Sequence, residues 1–175
     1  MKQTSKVTFG GITAALAVAI MLTSYFPWLT YAIPALAGLC MMMPVIEIGC
    51  IWAFGSYIAS VLPVFLFSEP EAKLLYIAFF GYYPIFKAVI DRGCNKALGW
   101  VLKFIVFNAA ALLVYLVFVP LMGINMDDFG ELGKYGLYAF WAAANVVFVL
   151  YDVAVSQTAA FYMMRLHPKI RRYLK

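Results

Sequence analysis

Between Val7 and Ile46 the chain carries no Asp, Glu, Lys or Arg. A helix needs only about 20 predominantly apolar residues to cross a bilayer, so this charge-free run dictates at least one crossing and leaves room for a second. Similar apolar segments recur to the end of the chain: 66% of its 175 residues are hydrophobic, 12% are charged, and the mean hydropathy is +0.91. Those values lie far outside the range of soluble domains. The expected class is therefore an all-α integral membrane bundle forming one domain over residues 1–175 in a cell membrane.

Turn signals divide the chain into six spans. The first covers Val7 to about Phe26, and the uncharged aromatic segment Pro27-Trp-Leu-Thr-Tyr31 follows it at the level where Trp and Tyr rings meet lipid headgroups. Lys2 and Lys6 before an apolar run look like a leader, and Ala35-Leu-Ala37 mimics a cleavage site. The run exceeds a leader's apolar core, so no cleavage is expected. Pro44-Val-Ile-Glu47-Ile-Gly49 divides residues 32–67 into two spans, the earlier of which is short for a complete crossing. Glu47 reads as the polar residue of that turn, with an intramembrane carboxylate as the alternative. The fourth span, Leu74 to Arg92, contains Gly81-Tyr-Tyr-Pro84. Pro84 removes a helical donor and clashes with the carbonyl of Phe80, predicting a kink and a carbonyl in need of a new partner. Spans from Ala97 to Pro120 and from Gly136 to Met164 complete the set, separated by an acidic loop with Asp127, Asp128 and Glu131.

Charge distribution orients these spans. With the amino terminus inside, only Lys73 and Lys134 of the 13 Lys and Arg residues fall outside. This bias predicts both termini in the cytoplasm. The net charge of +5 is accounted for by membrane orientation, and no nucleic-acid partner is expected. Cys40, Cys50 and Cys94 lack metal-ligand spacing and His167 is the sole histidine, so no His/Cys metal site and no cofactor is expected, while a carboxylate site stays open. No nucleophile elbow, His-carboxylate ligand motif or phosphate-cradling glycine loop is present, and no catalytic residue is assigned.

Intramembrane polar groups are the candidate functional residues, because each is costly to bury in lipid. Tyr138, Trp141, Asn145 and Asp152 share one face of the sixth span, and Asn108 and Tyr115 share a face of the fifth. Asp152 either pairs with Lys87 or Lys103 or holds a ligand or coupling ion. Tyr82 and Tyr83 point about 100° apart, so at least one faces the bundle, for packing or for ligand stacking. Gly11, Ala15 and Ala19 place small side chains on one stripe of the first helix, suited to close approach by a helix of this chain or of a partner.

Six spans, cytoplasmic termini, the Gly11, Ala15, Ala19 stripe and Gly81-Tyr-Tyr-Pro84 together resemble the substrate-binding S components of energy-coupling factor transporters. The resemblance implies a non-enzymatic subunit of the bacterial plasma membrane that captures a vitamin-like micronutrient from outside. It implies a transmembrane coupling subunit as partner and, through it, two ATPase subunits. Gly11, Ala15 and Ala19 would dock the coupling subunit, and Trp28 and Tyr31 would form a lid. Tyr82, Tyr83, Asn108, Trp141, Asn145 and Asp152 would bind the small-molecule substrate. The layout also resembles rod-shape-determining membrane protein D, a six-span protein that acts by binding partners, which is the alternative reading.

Overall fold

The computed structural model describes residues 3–26, 28–118 and 133–173, and these are helical apart from short turns. Helix α1 (Gln3–Leu22) ends in a 3-10 turn (Thr23–Tyr25), and α2 (Ala32–Cys40) and α3 (Met42–Glu47) meet at Met41. Next come α4 (Cys50–Phe67), α5 (Pro70–Leu75), a π-helical turn (Tyr76–Phe80) and α6 (Tyr83–Gly93). Helix α7 (Lys96–Leu113) continues into a π-helical turn (Val114–Phe118), and α8 (Gly133–Arg165) is followed by α9 (His167–Tyr173). Asp127, Asp128 and Glu131 of the expected acidic loop lie outside the described residues. Among the described residues, five helical segments are long and apolar enough to cross a membrane: Gln3–Tyr25, Cys50–Phe67, Pro70–Gly93, Lys96–Leu116 and Trp141–Arg165. Ala32–Glu47 is a shorter apolar helix, in keeping with the short span expected there.

The turn expected across Pro44–Gly49 closes at its glycine end. Pro44 lies in the first turn of α3, where its missing N–H is not needed. The Ile48 and Gly49 N–H groups both reach the Pro44 carbonyl, at 2.9 and 3.0 Å, and Gly49 takes φ +92° to reverse the chain. That left-handed conformation favours a residue without Cβ.

Helix α1 packs on α4 and α2 through Gly10, Thr13, Ala14, Ala17 and Met21. A Cβ on Gly10 would stand 2.6 Å from Ser56 Oγ, so α1 and α4 nearly touch. The neighbouring stripe, Gly11, Ala15 and Ala19, points away from this contact and is exposed. One core cluster joins Met21, Ile33, Met41, Tyr57 and Tyr76; a second joins Phe79, Tyr83, Phe148, Tyr151 and Val155. One end of the bundle brings Ser24 and Tyr31 to the α4–α5 turn, through the Tyr31–Glu71 and Glu69–Ser24 hydrogen bonds. The opposite end brings Lys6 onto Trp52, Arg92 to Cys50 and His167 to Glu47.

The Pro84 region departs from a simple kinked helix. The Gly81 N–H bonds to the Tyr76 carbonyl at 2.8 Å, five residues back, which widens the helix by one residue before Pro84 opens α6 in its first turn. The Phe80 carbonyl, blocked by the proline ring, is met by the Tyr151 hydroxyl of α8 at 3.3 Å. Gly38 of α2 packs onto the same carbonyl: a Cβ there would overlap the Phe80 oxygen and lie 2.6 Å from the Tyr151 hydroxyl. Gly38→Ala is accordingly expected to destabilise the protein by about 1–3 kcal/mol, the usual cost of overpacking. Gly55→Ala, where nothing lies within 4 Å, serves as the control and gains helix propensity. Thermal unfolding of both variants in detergent measures the difference; equal melting temperatures would refute the close approach of α2 to the π-helical turn.

Candidate functional site

Three helices, α6, α7 and α8, bring Asn108, Trp141, Asn145, Lys87, Lys103 and Asp152 together and stack them in layers. In the layer nearest the start of α8, Trp141 Nε1 donates to Asn108 Oδ1 at 2.7 Å, and Asn108 Nδ2 donates to Asn145 Oδ1 at 3.1 Å. The amides also donate to carbonyls one turn back in their own helices, Asn108 to Phe104 and Asn145 to Trp141, each at 2.9 Å. All three side chains are half-buried. Helical spacing puts Trp141 and Asn145 on one face of α8, and the structure brings Asn108 of α7 against that face. Tyr138 does not join it and is 72% exposed.

Below this layer lie rings. Phe107 stacks on Phe148 with centroids 4.6 Å apart and planes at 13°, and Phe79 meets both edge-on at 5.2 and 5.8 Å. Phe104 adds an edge contact to Phe148 at 5.2 Å. Phe148 is almost fully buried, so the upper polar layer is separated from what lies beneath by close-packed aromatic rings.

Beneath the rings is an ionic cluster. Asp152 Oδ1 accepts from the Tyr83 hydroxyl at 2.6 Å and from Lys87 Nζ at 2.6 Å, and lies 3.4 Å from Lys103 Nζ. Lys103 also pairs with Asp91 Oδ1 at 2.6 Å, and Lys87 stands 3.4 Å from Asp91 Oδ2. The two lysines and Asp152 are buried, whereas the Asp91 side chain is 47% exposed. Two positive and two negative charges thus balance locally, which buried ions require if their desolvation is to be offset. Of the two roles open to Asp152, the structure displays the pairing, and with both lysines rather than one. Asp91 was not among the expected site residues. Its signal was present as an i, i+4 register with Lys87, but its position in a short polar connection hid it.

Tyr83 and Tyr82 diverge, as their angular separation requires. Tyr83 is fully buried on Asp152, while Tyr82 turns to Tyr57 and lines a separate apolar groove between α4 and α6 with Phe54, Ile85 and Val89. The Asn108, Trp141 and Asn145 layer therefore does not include Tyr82. Glu47 takes the turn position expected of it and buries its side chain there. It ends α3 at the turn, yet its side chain is only 3% exposed, bonded to the Tyr162 hydroxyl at 3.1 Å and to His167 Nδ1 at 2.8 Å. Trp28 is 98% exposed with φ +79°, a left-handed backbone unusual for a non-glycine residue. Tyr31 donates its hydroxyl to Glu71 Oε2 at 2.9 Å. Gly11, Ala15 and Ala19 line a groove of about 490 Å³ with Ala59 and Pro63 of α4. Among the described residues, no group of three or more His, Cys, Asp or Glu side chains is placed to hold a metal ion.

No family model, curated protein or solved structure matches the chain.

Asp152→Asn leaves two buried lysines facing a single half-exposed carboxylate, and a loss of about 3–5 kcal/mol is expected from breaking a buried pair on one side. Adding Lys87→Met should restore part of the melting temperature in detergent; an Asp152→Asn protein that melts with the wild type would refute the stabilising role. A second expectation concerns Tyr31, whose phenol pKa is raised above 10.0 chiefly by the hydrogen bond it donates to Glu71. A folded-state pKa raised above the unfolded value means that this contact contributes below pH 10 and is lost as pH rises through the folded-state pKa. Tyrosine Cζ resonances followed with pH, assigned with Tyr31→Phe, should show the Tyr31 midpoint falling towards 10 in Glu71→Gln.

Proposed function

We propose that this chain is a substrate-capturing membrane subunit of a vitamin-like micronutrient uptake transporter of the energy-coupling factor type. The observation that carries this reading is the split face of α1. Gly10, Thr13, Ala14 and Ala17 are buried against the chain's own helices, while Gly11, Ala15 and Ala19 line an exposed groove with Ala59 and Pro63. Small residues at four-residue spacing let a second helix approach closely, so an exposed stripe beside an already packed one suits a partner helix from a coupling subunit. In this reading Ala32–Glu47 is a sixth, short crossing in a bacterial plasma membrane, with both termini in the cytoplasm. The Asn108, Trp141 and Asn145 layer then faces the outer half of the membrane and contributes the polar contacts to substrate. The ring layer is its floor, and Tyr83 with Asp152 holds that floor from beneath. Trp28 and Tyr31 form the lid. Binding by the coupling subunit, with its two ATPase subunits, would drive release to the inside.

One observation favours the second reading, a six-span scaffold similar to rod-shape-determining membrane protein D. Asn108, Trp141 and Asn145 bond to one another, which a scaffold needs and a ligand site must give up on binding. Two experiments separate the readings. Ala15→Trp with Ala19→Trp should abolish co-purification with a coupling subunit without lowering the yield of folded protein, and retained complex would remove the docking role. Native mass spectrometry of gently purified protein should show a stoichiometric small molecule that is lost in Asn145→Leu. Wild-type protein that is consistently empty would favour the scaffold.

A further inference from the structure

At the bundle end that carries Trp28 and Tyr31, the junction of α4 and α5 buries polar atoms without partners. Ser68 ends α4 at 3% exposure, and its Oγ has no hydrogen-bond partner among the described residues. The next residue, Glu69, buries its Oε2 in the same unpartnered state. Ser24 lies against them with no exposure at all: its Oγ accepts the Glu69 N–H at 3.3 Å, which leaves its hydroxyl a further lone pair. The cation nearest in sequence, Lys73, does not neutralise Glu69. Its Nζ lies 3.4 Å from the Phe65 carbonyl and 5.1 Å from the centre of the Phe65 ring. A buried carboxylate oxygen with no donor is among the costliest states a polar atom can occupy, and buried polar atoms in folded proteins nearly always have a partner.

We infer that Ser24, Ser68 and Glu69 form a binding site for the primary ammonium group of a small amine. The match is one of charge and donor count. A primary ammonium carries one positive charge and donates three hydrogen bonds without accepting any; the junction offers one carboxylate and two hydroxyls, all able to accept. A divalent metal fits less well: among the described residues no three His, Cys, Asp or Glu side chains are grouped to hold one, and the junction closes in a single carboxylate oxygen. Glu71, two residues on, is already held by Tyr31 and adds negative potential without competing for the ligand. The ammonium comes either from a free amine or from the headgroup of an aminophospholipid, since both present the same group. The site does not rest on the uptake reading above: it uses neither the α1 groove nor the Asn108 layer, and Tyr31 enters only through its hydrogen bond to Glu71.

The test uses the full-length protein in detergent, with ethylammonium chloride as probe and ethanol and equimolar sodium chloride as controls. Ethylammonium should raise the melting temperature where ethanol and sodium do not. Glu69→Gln should abolish that shift, and without amine it should melt at or above wild type, since the variant removes the charge from a carboxylate whose Oε2 is closed in without a partner among the described residues. Ser68→Ala should raise the half-saturating ethylammonium concentration at least fivefold. A wild-type protein with no ethylammonium-specific shift, or a Glu69→Gln protein that keeps the shift, would overturn the site. So would a Glu69→Gln protein that melts below wild type without amine, because the carboxylate would then be a satisfied structural group, bonded to water. Given the shift, native mass spectrometry with phosphatidylethanolamine against phosphatidylglycerol identifies the source: ethanolamine lipid retained by wild type and lost in Glu69→Gln supports the headgroup form of the site, and no lipid preference supports the free-amine form.

Discussion

Asp152 Oδ1 is the atom on which the second half of the bundle depends. It accepts from Tyr83 and Lys87 on α6 and faces Lys103 on α7, so one carboxylate on α8 ties three helices together. Between lipid-embedded helices there is no hydrophobic drive towards association, because acyl chains are as apolar as Leu. Packing and polar contacts must hold the helices instead. A balanced ion cluster, half open to solvent through Asp91, fixes register where uniformly apolar surfaces would slide. The stacked rings above it owe their arrangement to the same anchor: Tyr83 packs on Phe79, Phe148 and Tyr151 at 4.7, 5.5 and 5.6 Å.

Pro84 supplies the other constraint, and it acts through what it removes. By denying the Phe80 carbonyl its usual donor, it makes an acceptor available in the middle of an apolar helical segment, and the fold answers with Tyr151 from α8 and Gly38 from α2. The π-helical turn takes up the extra residue, which rotates Tyr83 onto Asp152 while Tyr82 faces the α4–α6 groove. One proline thereby joins the two core clusters, since Tyr76 before it belongs to the first and Tyr83 beside it to the second.

The candidate sites differ in how visible they were beforehand. The Phe80 carbonyl's need of a partner, the shared face of Trp141 and Asn145, and the pairing of Asp152 with membrane lysines follow from local stereochemistry and from the cost of charge in lipid, both of which act through residue type and spacing. Tyr82 was grouped with Asn108 and is not beside it, because helix rotation decides its direction and an apolar span has no polar face to set rotation. Glu47 shows the same limit from another side. Its place at a turn was legible, but its burial depends on Tyr162 and His167, more than a hundred residues further along the chain.

The sequence by itself determined that the chain is helical and built of membrane-length apolar segments, where those segments break, and which polar residues must find partners. Backbone hydrogen bonding in lipid admits few alternatives, and prolines, glycines and charges act on their immediate surroundings. Only the tertiary structure decided which partners those residues take. It turned Gly11, Ala15 and Ala19 outward while Gly10, Ala14 and Ala17 turned in, completed the ion cluster with Asp91, and left Ser68 and Glu69 with buried oxygens that have no partner among the described residues. These outcomes depend on how helices distant in sequence rotate against each other, and side-chain packing between them sets that rotation.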